Sequence, residues 1–323
     1  MTAHGPRPTA HGQQSPNDGT NILSLDRVTK RYGHTVAVNG LSFTVARGEM
    51  FGLIGPDGAG KTTTIRLLCG LLHADGGSIH VAGQDPVKDH RAITAKVGYL
   101  SQRFSLYGDL SIDENISFFA EIHGVNDYIQ KRDALLEITQ LTKFRTRLAD
   151  RLSGGMKQKL ALACTLVHEP EIILLDEPTT GVDPVSRREF WRLLSRFRAT
   201  GITILRSTPY LDEAERCSRV ALLDRGRLLA LDEPTALRAS LLGTLLEVVV
   251  RDPRAAQATL VRDGVESQLF GDRLHVWLDS GTDAAIEAFR VRAQHMGAAS
   301  VRRITPSLED VYIARLAEAE KTR

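Results

Sequence analysis

The chain has 323 residues, 42% hydrophobic and 25% charged, with 41 Lys+Arg against 39 Asp+Glu. That balance excludes wholesale disorder and, at roughly 150 residues per domain, suggests two domains. A net charge of +2 gives no electrostatic footprint for nucleic acid or an anionic lipid surface. No apolar run approaches the ~18–20 residues that span a bilayer.

Residues 1–20 are rich in Gly, Pro, Gln, His and Asn and read as a disordered tail. The tail has no apolar stretch, so it is not expected to be a secretory signal. Neither His4 nor His11 is expected to bind metal there. Cys69, Cys164 and Cys217 are far apart and lack a CxxC or Cys/His setting. They read as reduced, buried thiols rather than zinc ligands or a disulfide framework.

From Ile22 onward, short apolar runs alternate with turns. Leu41–Val45 and Met50–Ile54 read as strands with Arg47-Gly48 between them. A Gly-rich loop leads into a helix over Thr62–Leu72. Strands at Ser78–Val81 and Val97–Leu100 follow. Residues 103–168 read as helical, with apolar spacings of three and four over Ile112–Ile122 and Ile129–Leu141. Ile172–Leu175 is a continuous apolar run, the mark of a strand buried on both faces. Helix Pro184–Arg198, strand Ile202–Leu205, helix Leu211–Cys217 and strand Val220–Leu223 complete an α/β pattern whose sheet should be mostly parallel. Pro234 opens a helix to about Leu242. A second pattern then runs strand Leu245–Val250, helix Ala255–Asp263, strands Ser267–Leu269 and Leu274–Leu278, helix Thr282–His295, strand Ser300–Ile304, helix Ser307–Ala317. It reads as a small α+β domain over 243–323.

Gly55-Pro56-Asp57-Gly58-Ala59-Gly60-Lys61-Thr62 fits G-x-x-x-x-G-K-[ST] between a strand and a helix. Glycines let the backbone turn its N–H groups around a phosphate, and the helix N-terminus faces the same anion. Lys61 supplies a point charge, the Thr62 hydroxyl suits Mg²⁺, and Thr63 follows in the first turn. Asp57 is the discordant residue, a carboxylate close to a polyanion. It is expected to point outward.

Ile172-Ile173-Leu174-Leu175-Asp176-Glu177 ends an apolar strand in two carboxylates. Ligands of open parallel sheets bind at the carboxyl ends of strands. Asp176 is placed to hold Mg²⁺. Successive strand residues point to opposite sides, which gives Glu177 a different task, that of general base or water-polarising group.

Between these motifs stands Leu152-Ser153-Gly154-Gly155-Met156-Lys157-Gln158. With it, the sequence closely resembles the ATP-binding-cassette (ABC) ATPases over about 22–242. The resemblance implies an α/β fold of the P-loop NTPase class, with a mostly parallel core sheet, an antiparallel β subdomain and a helical subdomain at about 103–168, followed by the C-terminal α+β domain. It implies ATP and Mg²⁺ as ligands. Tyr32 then looks like the aromatic that stacks on adenine, and Gln102 like the glutamine that contacts Mg²⁺ and water. Asp183, which also suits a helix N-cap before Pro184, looks like the loop aspartate that crosses a dimer interface. Ser153, Gly154 and Gly155 would close over ATP held by a second cassette, in a homodimer or heterodimer.

Asp57, Arg103-Phe104-Ser105-Leu106-Tyr107, Ser207-Thr208-Pro209-Tyr210 and the ending Pro306-Ser307-Leu308-Glu309-Asp310-Val311-Tyr312-Ile313 resemble the ABC-2-type export branch, including multidrug exporters. The implied function is the motor of a bacterial export pump, cytoplasmic and peripheral on the inner face of the membrane. The partner is a separate permease docked near Phe104–Tyr107, and no nucleic acid is expected. The alternative is a non-transport ABC ATPase, ribosome-associated or of the DNA-repair type. Against the first stands the single phosphate loop. Against the second, only about 50 residues separate Gln102 from Ser153, too few for a long heptad run.

Pro209 occupies the position where these ATPases usually carry a histidine that touches the γ-phosphate. Proline has no side-chain donor and no N–H. Turnover is therefore expected to be slow or to rest on Glu177 alone, since one positioned donor is often worth ~10²–10³ in rate. Pro209→His should raise the ATPase rate of the purified chain. Robust wild-type turnover with no gain in the variant would contradict this.

Overall fold

The computed structural model describes residues 20–102 and 106–321. The expectations for 1–19, His4 and His11 among them, and for Arg103, Phe104 and Ser105 lie outside the described residues. Two compact units divide between Leu228 and Leu229.

The first unit begins with an antiparallel sheet, β1 (Asn21–Tyr32), β2 (Thr35–Ala46) and β4 (Gly76–Val81), in the order β2-β1-β4. Its alternating apolar positions, among them Leu23, Leu25, Leu41, Phe43 and Val45, are buried. Five further strands pair in parallel: β5 (Val97–Leu100), β6 (Ile172–Asp176), β7 (Thr203–Thr208), β3 (Met50–Ile54) and β8 (Arg219–Asp224), in that spatial order. A strand not expected from sequence, β9 (Arg227–Asp232), follows β8 at the edge. Every residue of β3 and β6 is buried. Their uninterrupted apolar runs are what a strand covered on both faces requires.

Helix α1 (Lys61–Leu68) follows β3, and a short helix absent from the sequence reading, α2 (His90–Lys96), precedes β5. Among the described residues, three α-helices lie between β5 and β6: α3 (Ile112–Ile122), α4 (Tyr128–Thr139) and α5 (Gly154–Leu166). Ser111 and Glu114 close a reciprocal capping box on α3, which fixes where that helix starts. Helices α6 (Pro184–Ala199) and α7 (Leu211–Ala214) flank β7. The expected strand Ile202–Leu205 in fact runs on to Thr208, and the helix expected to reach Cys217 ends at Ala214. All three cysteines are free and buried, and burial pushes the Cys217 thiol up to about 11.

In the second unit α8 (Pro234–Ala239) precedes β10 (Thr244–Val250), α9 (Pro253–Arg262), β11 (Ser267–Phe270), β12 (Arg273–Leu278), α10 (Asp283–His295), β13 (Ala298–Ile304) and α11 (Leu308–Lys321). The sheet is antiparallel in the order β11-β12-β10-β13, the split βαβ arrangement. Leu246, Val248 and Val250 alternate along β10 and pack with Leu260, Ile286 and Phe289 of the two covering helices. The division falls ahead of the expected boundary at 242. Helix α8 packs on α11, and Arg315 Nη2 donates to Ser240 Oγ at 2.8 Å, so α8 goes with the C-terminal unit.

His123, after α3, stacks on His168, after α5, with ring centroids 3.9 Å apart. Burial, reinforced by the His123 ring, holds His168 down at about 4. The unfolded chain takes up a proton near the ordinary histidine value while the folded chain does not, so stability is lost as pH falls from about 6.5 toward that value. His168→Phe should lose less thermal midpoint than wild type between about pH 7 and pH 5. An unchanged pH dependence would contradict this.

Candidate functional site

The site forms at the carboxyl ends of β3 and β6. Strand β3 delivers Gly55, and α1 opens at Lys61 with no side-chain cap, leaving its first N–H groups as phosphate donors. Gly60 has φ +96°, and a Cβ there would stand 2.5 Å from the Ala37 carbonyl oxygen, so only glycine fits. Pro56, Asp57 and Gly58 are exposed, Ala59 is buried, and Thr62 and Thr63 are half-buried.

Lys61 is buried and turned inward. Its Nζ donates to the Gly55 carbonyl at 2.8 Å and the Pro56 carbonyl at 3.0 Å, and lies 3.1 Å from Glu177 Oε1. Thr62 Oγ1 donates to Asp176 Oδ1 at 3.1 Å. Consecutive residues of one helix turn thus engage the two consecutive carboxylates of the strand end.

Asp176 is buried, and that burial raises its pKa against the hydrogen bonds from Ser207 and Thr62. Ser207 Oγ donates to Asp176 Oδ1 at 2.7 Å. The other oxygen, Oδ2, is buried with no hydrogen-bond partner. An orphaned carboxylate oxygen beside a threonine hydroxyl is the all-oxygen donor chemistry of a hard divalent cation, so these residues fit Mg²⁺.

Glu177 departs from the strand alternation expected of it. Strand β6 ends at Asp176, and Glu177 has φ +48°, in the left-handed region. For a residue with a Cβ that conformation costs roughly 1–2 kcal/mol. Its N–H donates to Ser207 Oγ at 3.0 Å, and its carboxylate accepts from Gln102 Nε2 at 3.1 Å and Thr180 Oγ1 at 3.3 Å. The two carboxylates do face different partners, but a left-handed turn, not the pleat, separates them.

Ser207 was not singled out in the sequence. It lies opposite Asp176 in the parallel register of β6 and β7. The signal that could have revealed it is the run Arg206-Ser207-Thr208, polar yet wholly buried within a strand.

Ser153, Gly154 and Asp183 stand exposed, outside this cluster. Ser153 caps α5, accepting from Met156 N–H at 3.3 Å. Asp183 caps α6, accepting from the N–H groups of Val185 and Ser186 at 3.0 Å, and the Ser186 hydroxyl together with these N–H groups holds its pKa down. Gly155 is buried against α6, where a Cβ would sit 2.3 Å from Ser186 Oγ. Tyr32, at the end of β1, is 47% exposed with Lys30 Nζ 5.8 Å from its ring centroid, leaving an aromatic face for stacking.

The ABC transporter family model matches residues 38–180, which contain both the phosphate loop and the carboxylates. The probable multidrug ABC transporter ATP-binding protein YbhF of Escherichia coli is 41% identical over 306 residues, covering 92% of this chain and 52% of that protein. The chain therefore spans about half the length of that curated relative. The Nod factor export ATP-binding protein I of Paraburkholderia xenovorans is 37% identical over 297 residues, covering 90% of this chain and 95% of that protein. The chain belongs to the ABC transporter family. Among solved structures, an ATP-binding subunit of an ABC transporter superposes with a TM-score of 0.62 at 29% identity, over 68% of this chain and 92% of the other. The cassette cbiO1 of Clostridium perfringens, part of the cbiONQ complex, does so at 0.61 and 27%, over 68% and 92%. The fold is thus that of an ABC ATPase cassette.

Gly154 and Gly155 of this ABC cassette face different constraints. A Cβ on Gly154 would meet nothing within 4 Å. Gly155→Ala should displace α5 from α6 and lower the thermal midpoint, at a cost of about 1–3 kcal/mol, typical of overpacking. Gly154→Ala should leave the midpoint unchanged. Equal midpoints for both variants would contradict the packing seen at Ser186.

Proposed function

We propose that this chain is the ATP-hydrolysing subunit of an ABC export pump, working with a separate ABC-2-type permease and a second cassette. The observation that carries this reading is the convergence of buried Lys61, Asp176 and Glu177 with half-buried Thr62 in one cluster.

The triphosphate lies on the N–H groups of the 55–60 loop and the start of α1, with Lys61 neutralising its terminal charge. Mg²⁺, when bound, would be held by Thr62, Asp176 and Gln102 and would supply charge neutralisation to the phosphoryl group. Glu177 orients the attacking water and accepts its proton. Gln102, hydrogen-bonded to Glu177, reports to it the position of the helical subdomain that begins just after. Tyr32 stacks on the adenine. Ser153, at a helix N-terminus, and Gly154 and Gly155 close over the nucleotide of the other cassette, with Asp183 at the junction. ATP binding draws two cassettes together, and hydrolysis releases them.

Export as the task is supported by the names of the relatives, one multidrug and one Nod factor export. Among the described residues no helix is long and apolar enough to cross a membrane, so the pathway falls to the permease. On this reading the chain works on the inner face of the cell membrane, where ATP is available.

Affinity capture of the tagged full chain from detergent-solubilised membranes, beside sedimentation of a cell extract, tests this. Export predicts a polytopic membrane protein captured in fixed ratio, and ATPase activity in the membrane fraction. Co-sedimentation with ribosomes and no captured membrane protein would contradict it.

A further inference from the structure

Behind the two carboxylates lies a buried polar cluster that the mechanism above leaves unused. Along β7 the side chains alternate: Ser207 meets Asp176, while Arg206 and Thr208 meet α7. Arg206 is the largest fully buried side chain among the described residues. Apolar packing does not call for it, since the preceding strand residues are Ile204 and Leu205. Its Nη2 donates to Glu213 Oε2, and its guanidinium lies over Trp191 of α6, 4.0 Å from the ring centroid.

Glu213 is equally buried and gathers two more donors. Thr208 Oγ1 donates to Oε2 at 2.7 Å, and Thr179 Oγ1 donates to Oε1 at 2.7 Å. Thr179 belongs to the turn after β6, which the Thr180 N–H closes onto the Glu177 carbonyl at 3.2 Å. One carboxylate on α7 therefore holds the turn in which Glu177 adopts φ +48°. A left-handed residue with a Cβ persists only when its surroundings over-determine it. Here Ser207 fixes the Glu177 N–H, and Thr179 anchors the turn two residues on. A buried ion pair tolerates few alternative geometries, because each broken bond strands a polar group.

We infer that the Arg206–Glu213 pair, acting through Thr179, is a positioning element that holds Glu177 in its left-handed turn and so sets the rate of hydrolysis without touching nucleotide. The inference rests on the assignment of Glu177 to the water.

Steady-state hydrolysis of Mg²⁺–ATP by the full chain, with thermal midpoints recorded for each variant, tests it. Thr179→Val deletes the hydroxyl at nearly constant shape. It should lower kcat by about 10- to 100-fold, as displacement of a reacting group does, and leave KM within about twofold. Thr179→Ser, which keeps the hydroxyl, should recover most of that loss. The double variant Arg206→Met/Glu213→Gln removes both charges of the pair together and gives up the 3.7 Å contact of Arg187 Nε with Glu213 Oε1; it should show the same kcat-only defect. A folded Thr179→Val or double variant with wild-type kcat would overturn the inference, as would a Thr179→Ser as slow as the valine variant. Glu177→Gln separates the two levels: wild-type kcat in that variant would overturn the assignment of Glu177, and the inference with it.

Discussion

Two adjacent carboxylates at the end of a buried strand are the constraint around which the first unit is arranged. Ionised groups withdrawn from water must be matched by donors or by a cation. The fold meets this demand from two directions. The first turn of α1 sends Lys61 to Glu177 and Thr62 to Asp176, and β7 sends Ser207 to both. What remains unmatched is one oxygen, Asp176 Oδ2. The same atoms that stabilise the strand end therefore define where a triphosphate and its cation belong. Folding and chemistry draw on one set of contacts.

The parts of this arrangement that were legible in the sequence are those set by local covalent spacing. The phosphate loop declares itself because glycine and lysine must stand at fixed intervals for the backbone to curl around an anion. The run Ile172–Leu175 declares itself because only a strand covered on both faces is apolar throughout. The cap at Asp183 was equally readable, and the exposed position of Asp57 agrees with its charge. What was hidden depends on contacts distant in sequence. Strand β7 was cut short at Leu205 because Arg206, Ser207 and Thr208 look like a polar loop; they are buried only because Glu213, Asp176 and Thr179 receive them. The left-handed turn at Glu177 has no signal of its own, since glutamate is not a residue that favours it. Gly155 suggested phosphate contact, whereas the neighbour within this chain that demands a glycine is Ser186.

The C-terminal unit shows the same economy with different chemistry. On one face of β10, Glu247 is buried between Arg302 of β13 at 2.6 Å and Arg273 of β12 at 2.9 Å, and these partners hold its pKa down. On α11, Asp310 accepts from Ser307 through both N–H and hydroxyl at 2.7 Å, and its other oxygen lies 2.7 Å from His275 Nδ1. The closing helix is thereby capped and tied to β12 through one side chain. None of these residues repeats the phosphate-binding pattern, so the unit is a separate fold and not a second cassette.

The division of labour between the two strand-end carboxylates is tested most directly by identifying the nucleotide that stays bound to Glu177→Gln after incubation with Mg²⁺ and ATP. The account predicts intact ATP, because binding rests on Lys61, Thr62 and Asp176 while cleavage rests on Glu177. Recovery of ADP at the wild-type rate would contradict it.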